Sequence, residues 1–93
     1  MRLRWDSAKQ QHVLTRRSIS FAVLAELMCA PYLEDVRNDD PEQFRIIGFA
    51  DGRLLTFVVE YREDDLGDYI WVVTAWESTK QERRAYGHIQ AGY

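Results

Sequence analysis

Asp51-Gly52 restricts the fold of this chain more than any other pair of residues. A two-residue hairpin of the primed type needs both positions to tolerate positive φ, and this pair separates two runs rich in β-branched and aromatic residues, 44–50 and 53–62. An antiparallel hairpin is predicted. Glu63 to Asp68 is a second polar turn, and Tyr69 to Trp76 is again aromatic and β-branched, so the hairpin extends into a meander. The strand at 69–76 then runs into Thr79-x-x-Glu82, a capping box that opens a C-terminal helix through Tyr86.

The N-terminal half reads differently. Arg2 to Trp5 alternates polar and apolar residues as a short strand, and Asp6 is placed to cap a helix from Ser7 to about Arg16 with a narrow apolar face of Ala8, Val13 and Leu14. Ser18 and Ser20 interrupt it, with Ser20 as cap of a second helix from Phe21 to Met28. Phe21, Leu24, Ala25 and Met28 form the core face of that helix. Pro31 ends it, Tyr32 to Val36 is a short strand, and 38–41 is a loop. Two N-terminal helices, an antiparallel meander and one C-terminal helix specify an α+β domain whose helices cover one face of the sheet. With 46% apolar residues and three tryptophans, a single domain over 1–93 can bury a core without disulfides.

Cys29 is a lone cysteine in the apolar run and reads as a small hydrophobe, which suits a reducing cytosol. No run of about eighteen apolar residues is present, and the N-terminus leads into polar sequence, so a cytoplasmic protein with no membrane partner is expected. The net charge of −3 argues against a protein that coats nucleic acid over its whole surface, but the charge is unevenly spread. Residues 1–17 hold five basic groups against Asp6, 5 − 1 = +4, and residues 26–42 hold Arg37 against six acidic groups, 1 − 6 = −5. Arg83 and Arg84 on the terminal helix would lie near the end of the sheet, where basic groups suit a phosphate-bearing ligand. His12 and His88 are far apart and no carboxylate cluster has ligand spacing, so no metal site is argued, and glycine-rich nucleotide motifs are absent.

Several short motifs, in order, carry a resemblance. They are Trp5-Asp6-x-x-Lys9, Ile19-Ser20-Phe21, Arg45-x-x-Gly48, Asp51-Gly52-Arg53-Leu54-Leu55, Arg62, and Thr74-Ala75-x-x-x-Thr79-x-x-Glu82-Arg83 with Tyr86. From about Trp5 to Tyr86 the chain resembles the BrnT-type toxins, small ribonucleases of bacterial type II toxin–antitoxin pairs with a fold similar to RelE. The resemblance implies metal-independent RNA cleavage that inhibits growth, no cofactor, and a cognate DNA-binding antitoxin of the BrnA kind, with higher-order toxin–antitoxin complexes. Cleavage through the 2′-hydroxyl needs a base, a cation beside the charged phosphorane and an acid for the leaving oxygen. Arg45, Arg62 and Arg83 are the candidate cations and Glu82 the candidate base, although Glu82 is equally the capping-box partner of Thr79. Arg62 beside Glu63 and Asp64 can be read as a surface ion pair. Lys9, Arg16, Arg17, Arg53, Trp76 and Arg84 are the candidate RNA contacts.

The chain departs from the family pattern at three places. Arg16-Arg17-Ser18 stands where Lys-His-Gly is usual, Trp76 stands where an arginine follows the Thr-Ala pair, and Trp71 replaces a basic residue. A histidine suited to proton transfer is absent there. Two readings fit. The indoles stack on RNA bases while arginines hold phosphates, or the strand face meets another protein and the chain is a catalytically silent binding module. Five positions separate the indoles, so a regular strand sends them to opposite faces, one core and one exposed.

Overall fold

The computed structural model describes residues 2–90, so Met1 and residues 91–93 of the expected domain lie outside the described residues. The elements are β1 (Arg2–Trp5), α1 (Ser7–Arg17), a 3-10 turn (Phe21–Val23), α2 (Leu24–Leu27), β2 (Leu33–Asp39), β3 (Glu42–Ala50), β4 (Arg53–Asp64), β5 (Gly67–Glu77) and α3 (Lys80–Gln90). The α+β class holds. The strands form one sheet in the order β1-β5-β4-β3-β2.

Local signals set much of this. Asp51 and Gly52 both adopt positive φ, 53° and 72°, as the primed turn between β3 and β4 requires. The Asp6 side chain accepts the Lys9 N–H at 2.9 Å and starts α1. At α3 the capping box closes in both directions, Thr79 N–H to Glu82 Oε1 at 2.8 Å and Glu82 N–H to Thr79 Oγ1 at 3.2 Å.

The sheet is mixed, not purely antiparallel. β1 pairs parallel with β5, Leu3 beside Ile70 and Trp5 beside Val72. The chain leaves β1 through the helices, enters the sheet at the far edge with β2 and meanders back, so β5 arrives beside β1. There β1 adds Leu3 and Trp5 to the core.

The second helix is also shorter than its apolar pattern predicts. A 3-10 turn precedes a single turn of α-helix, and a period of three puts Phe21, Leu24 and Leu27 on the buried line while Ala25 is exposed. Ser20 makes no side-chain cap there. Gln10 of α1 serves instead, its Oε1 accepting the Phe21 N–H at 2.6 Å and its Nε2 donating to Ile19 O at 3.2 Å. In α1 itself only Val13 is buried, and Ala8 and Leu14 face outward. Cys29 is exposed past the end of α2, with its thiol on Ala25 O, and does not join the core.

Helices lie on both faces. α1, the 3-10 turn and α2 cover Ile46, Ala50, Leu55, Phe57, Val59, Ile70, Val72 and Ala75. Phe21 sits at the centre, edge-on to Trp5 at 5.9 Å and to Phe57 at 6.4 Å. Burying such a ring contributes roughly 2–3 kcal/mol. On the opposite face α3 sets Tyr86 on Ile47, Leu54 and Leu33, residues of the other parity. The short α3 covers only that end of the sheet. The rest of this second face, along β5, β4 and β3, has no helix over it.

Candidate nucleic-acid interface

β5 carries one residue more than its partner. Thr56 pairs with Trp76 and Val58 with Thr74, but Val59 then pairs with Val72 and Glu60 with Trp71. Val73 is the extra residue of a β-bulge, and the bulge restores Trp71 to the parity of Trp76. Residues opposite each other in a ladder share a face, so both indoles stand with Thr56, Val58 and Glu60 on the face opposite α1 and α2, where Thr56 and Val58 are fully buried and the indoles are partly exposed. The expected separation into one core and one exposed indole is therefore wrong. Their backbones lie about 13 Å apart along the sheet, four residues of β4.

Each indole has a guanidinium over it. Arg62 lies 4.5 Å above the Trp71 ring and Arg37 lies 5.8 Å above the Trp76 ring. Further along, Arg2 and Arg4 stand 5.3 and 5.1 Å above Tyr69. Arg37 reaches this face from a second bulge, since β2 slips one residue against β3 between Val36 and Asn38. The Arg62 side chain pairs with Glu60, at 3.0 Å from Nε and 2.6 Å from Nη2, and not with Glu63 or Asp64. A hydrogen bond from the Gln43 amide, together with the bond and charge of Arg62, holds the Glu60 carboxyl below its ordinary range against the opposing push of burial. Asp64 belongs instead to the β1 side. Hydrogen bonds from Arg2 and the Leu66 N–H hold its carboxyl down at about 2.

Glu82 meets this face from the first turn of α3. Its side chain is only 5% exposed and receives Thr79 N–H, Thr56 Oγ1–H and Trp76 Nε1–H at 2.8, 3.0 and 3.0 Å, with Arg45 Nη1 at 3.4 Å. Burial pushes the carboxyl up, yet the Thr79, Trp76 and Thr56 hydrogen bonds and the Arg45 charge outweigh it and leave Glu82 below the usual glutamate value. Such a group is ionised and fully occupied. It orients Trp76 and Arg45 and is poorly suited to taking a proton. Arg45 is held on its other side by Asp35, Nε to Oδ1 at 2.9 Å and Nη2 to Oδ2, a two-pronged pairing across β2 and β3.

Of the residues singled out in the sequence, Arg45, Glu82 and Trp76 come together, with Arg62 farther along the same face. Arg83 and Arg84 are exposed on α3, Arg83 Nη2 at 3.7 Å from Glu77. Lys9, Arg16 and Arg17 belong to α1, which packs on the other side of the sheet, and they do not join the indoles. Arg17 donates to Ala75 O at 2.7 Å and anchors α1 on β5. Arg53 donates to Ser18 O at 2.7 Å and Arg17 O at 3.4 Å, closing the C-terminal end of α1. His12 is also on α1, and none of the strands carries a histidine. Sequence reasoning missed Arg37, Gln43 and Glu60. The first had a visible signal, as the lone base in the acidic stretch 26–42.

The uncovered face thus offers flat π surfaces, guanidinium groups and a few carboxylates. Such a surface can stack and pair with a nucleotide chain, and the strands bring no histidine to it. Among the described residues no group of His, Cys, Asp or Glu is arranged to hold a metal ion, and no helix is long and apolar enough to cross a membrane. The sequence matches no protein-family model and no curated protein.

Proposed function

We propose that the chain is a BrnT-like endoribonuclease toxin of a type II toxin–antitoxin system, engaging RNA on the uncovered face of its sheet and held inactive by a cognate DNA-binding antitoxin. The observation that carries this reading is the gathering of Arg45, Arg62, Trp71 and Trp76 on one face that α3 covers only at one end. The ordered motifs from Trp5 to Tyr86 support it as well. In this reading the indoles take bases, Arg62 and Arg45 steady phosphate charge, and Glu82 acts as a positioning residue that does not touch RNA. Metal is not required, because the 2′-hydroxyl of the substrate is itself the nucleophile.

A second reading, a catalytically silent protein-binding module, draws on a different observation. Arg45 and Arg62 already hold carboxylates, and the strands bring no histidine to the face. Inducing the chain in a bacterial host, beside an Arg62→Ala/Trp71→Ala control, separates the two. Growth arrest with RNA decay that the control abolishes is expected. Normal growth with intact RNA from soluble protein contradicts the toxin reading and favours the silent module.

A further inference from the structure

Four side chains form a continuous rail between the two indoles. Arg37 Nη1 donates to Gln43 Oε1 at 3.3 Å, Gln43 Nε2 donates to Glu60 Oε2 at 2.8 Å, and Arg62 Nη2 donates to Glu60 Oε1 at 2.6 Å. Each end of the rail lies over a ring, Arg37 over Trp76 and Arg62 over Trp71. The same unit, an indole with a guanidinium tethered above it, therefore occurs twice on one face, with the tethers joined.

We infer that these two indole–guanidinium pairs are two base-stacking positions for unpaired RNA, at which a base takes the ring and the displaced guanidinium turns to the adjoining phosphate. This rests on the RNA reading above and names the form of RNA the face takes. A cation over a partly exposed ring is a weaker contact than a stacked base, so the exchange favours the ligand. The tethers keep each guanidinium near the ring it leaves. Duplex RNA hides its base faces within the stack and presents phosphates and 2′-hydroxyls. On the strands of this face Arg2, Arg4, Arg37, Arg45 and Arg62 stand against Asp35, Glu60 and Asp64, 5 − 3 = +2, and Arg2, Arg4, Arg45 and Arg62 already hold carboxylates, so phosphate attraction alone gives duplex little hold. Indoles about 13 Å apart are too distant to take two bases stacked on each other, so the gripped bases are not immediate stacking neighbours. A guanidinium tethered beside each ring meets the phosphate that adjoins each stacked base, a pairing that a nucleotide chain supplies at both positions and a peptide does not.

The test is fluorescence anisotropy with a short unstructured oligoribonucleotide and with the same strand annealed to its complement. The single strand is expected to bind at least about tenfold more tightly than the duplex. Trp71→Ala and Trp76→Ala should each weaken it about ten- to hundredfold, one stacked base apiece, while Trp71→Phe and Trp76→Phe keep most of the affinity. Trp71 hydrogen-bonds nothing in the core, so Trp71→Ala against Trp71→Phe decides the matter even where Trp76→Ala fails to fold. Equal binding of both forms, unaffected by the tryptophan changes, overturns the stacking platform and leaves RNA engagement standing. Binding of neither form overturns the platform together with the RNA reading and turns the face over to a protein partner.

Discussion

Trp71 and Trp76 stand five positions apart in β5 and on the same face of the sheet, because Val73 between them has no partner in β4. In a regular strand that spacing would bury one indole beneath the helices. The bulge also keeps Ile70, Val72 and Ala75 on the core side, so one extra residue serves both faces.

Deleting Val73 should therefore be tolerated. The remaining residues alternate without interruption against β4, Thr74 beside Val58, Val72 beside Val59 and Trp71 beside Glu60, so Ile70, Val72 and Ala75 stay on the core side and both indoles on the other. A cooperative melt, read by circular dichroism during heating, is expected for the deletion. Loss of cooperative unfolding would show that the bulge itself, beyond the alternation it permits, holds β5 in place.

The Glu82 network makes a second prediction. Glu82→Ala leaves the Trp76 indole N–H, the Thr79 N–H and one side of Arg45 without this acceptor, while the Thr56 hydroxyl keeps Ser78 Oγ at 2.8 Å. A loss of about 3 kcal/mol in urea unfolding is expected. Glu82→Gln should lose less, since one carbonyl oxygen remains to receive part of the network. A change below about 1 kcal/mol in the alanine variant would contradict this account of the carboxylate.

Gly48 predicts a steric penalty. A Cβ there would stand 2.8 Å from Leu27 Cδ2, 2.9 Å from Leu27 Cγ and 3.2 Å from Tyr32 Cβ. Leu27 is fully buried and has nowhere to move. Gly48→Ala should destabilise by about 1–3 kcal/mol, through overpacking of α2 against β3. Thermal melts of the variant beside the parent test it, and an unchanged or raised melting temperature would argue that α2 can lift without loss.

Acid should weaken the fold. Asp64 sits at about 2 in the folded protein, and Glu60 and Glu82 are also held below their ordinary values. A carboxyl depressed in the folded state stabilises it fully above its unfolded value, and that contribution is lost as pH falls through the folded value. Urea midpoints should hold down to about pH 4 and then fall toward about pH 2, with Asp64→Asn reducing the slope. Stability that stays level across this window would show that these carboxyls titrate alike in the folded and unfolded chain.

Features carried by neighbours in sequence were legible before the fold was known. The Asp51-Gly52 turn, the Asp6 cap and the Thr79–Glu82 box depend on a few adjacent residues, and each formed. What escaped depends on distant partners. The Val73 bulge exists only in the register of β5 against β4, the parallel seat of β1 depends on β5, and Gln10 replaces Ser20 as a cap from eleven positions away. The candidate site divided for the same reason. Arg45, Glu82 and Trp76 meet through β3, α3 and β5, whereas Lys9, Arg16, Arg17 and Arg53 carry similar charge on the far side of the sheet.

Which side of the sheet meets RNA can be read directly. Backbone and indole N–H chemical shifts, followed by NMR as an unpaired oligoribonucleotide is added, separate the uncovered face from α1. Perturbations centred on Trp71, Thr74 and Trp76, on both of their indole protons and on Arg37, Arg45 and Arg62, with α1 unmoved, are the predicted result. Shifts that follow Lys9, Arg16 and Arg17 instead, or spectra that do not change, would contradict the account.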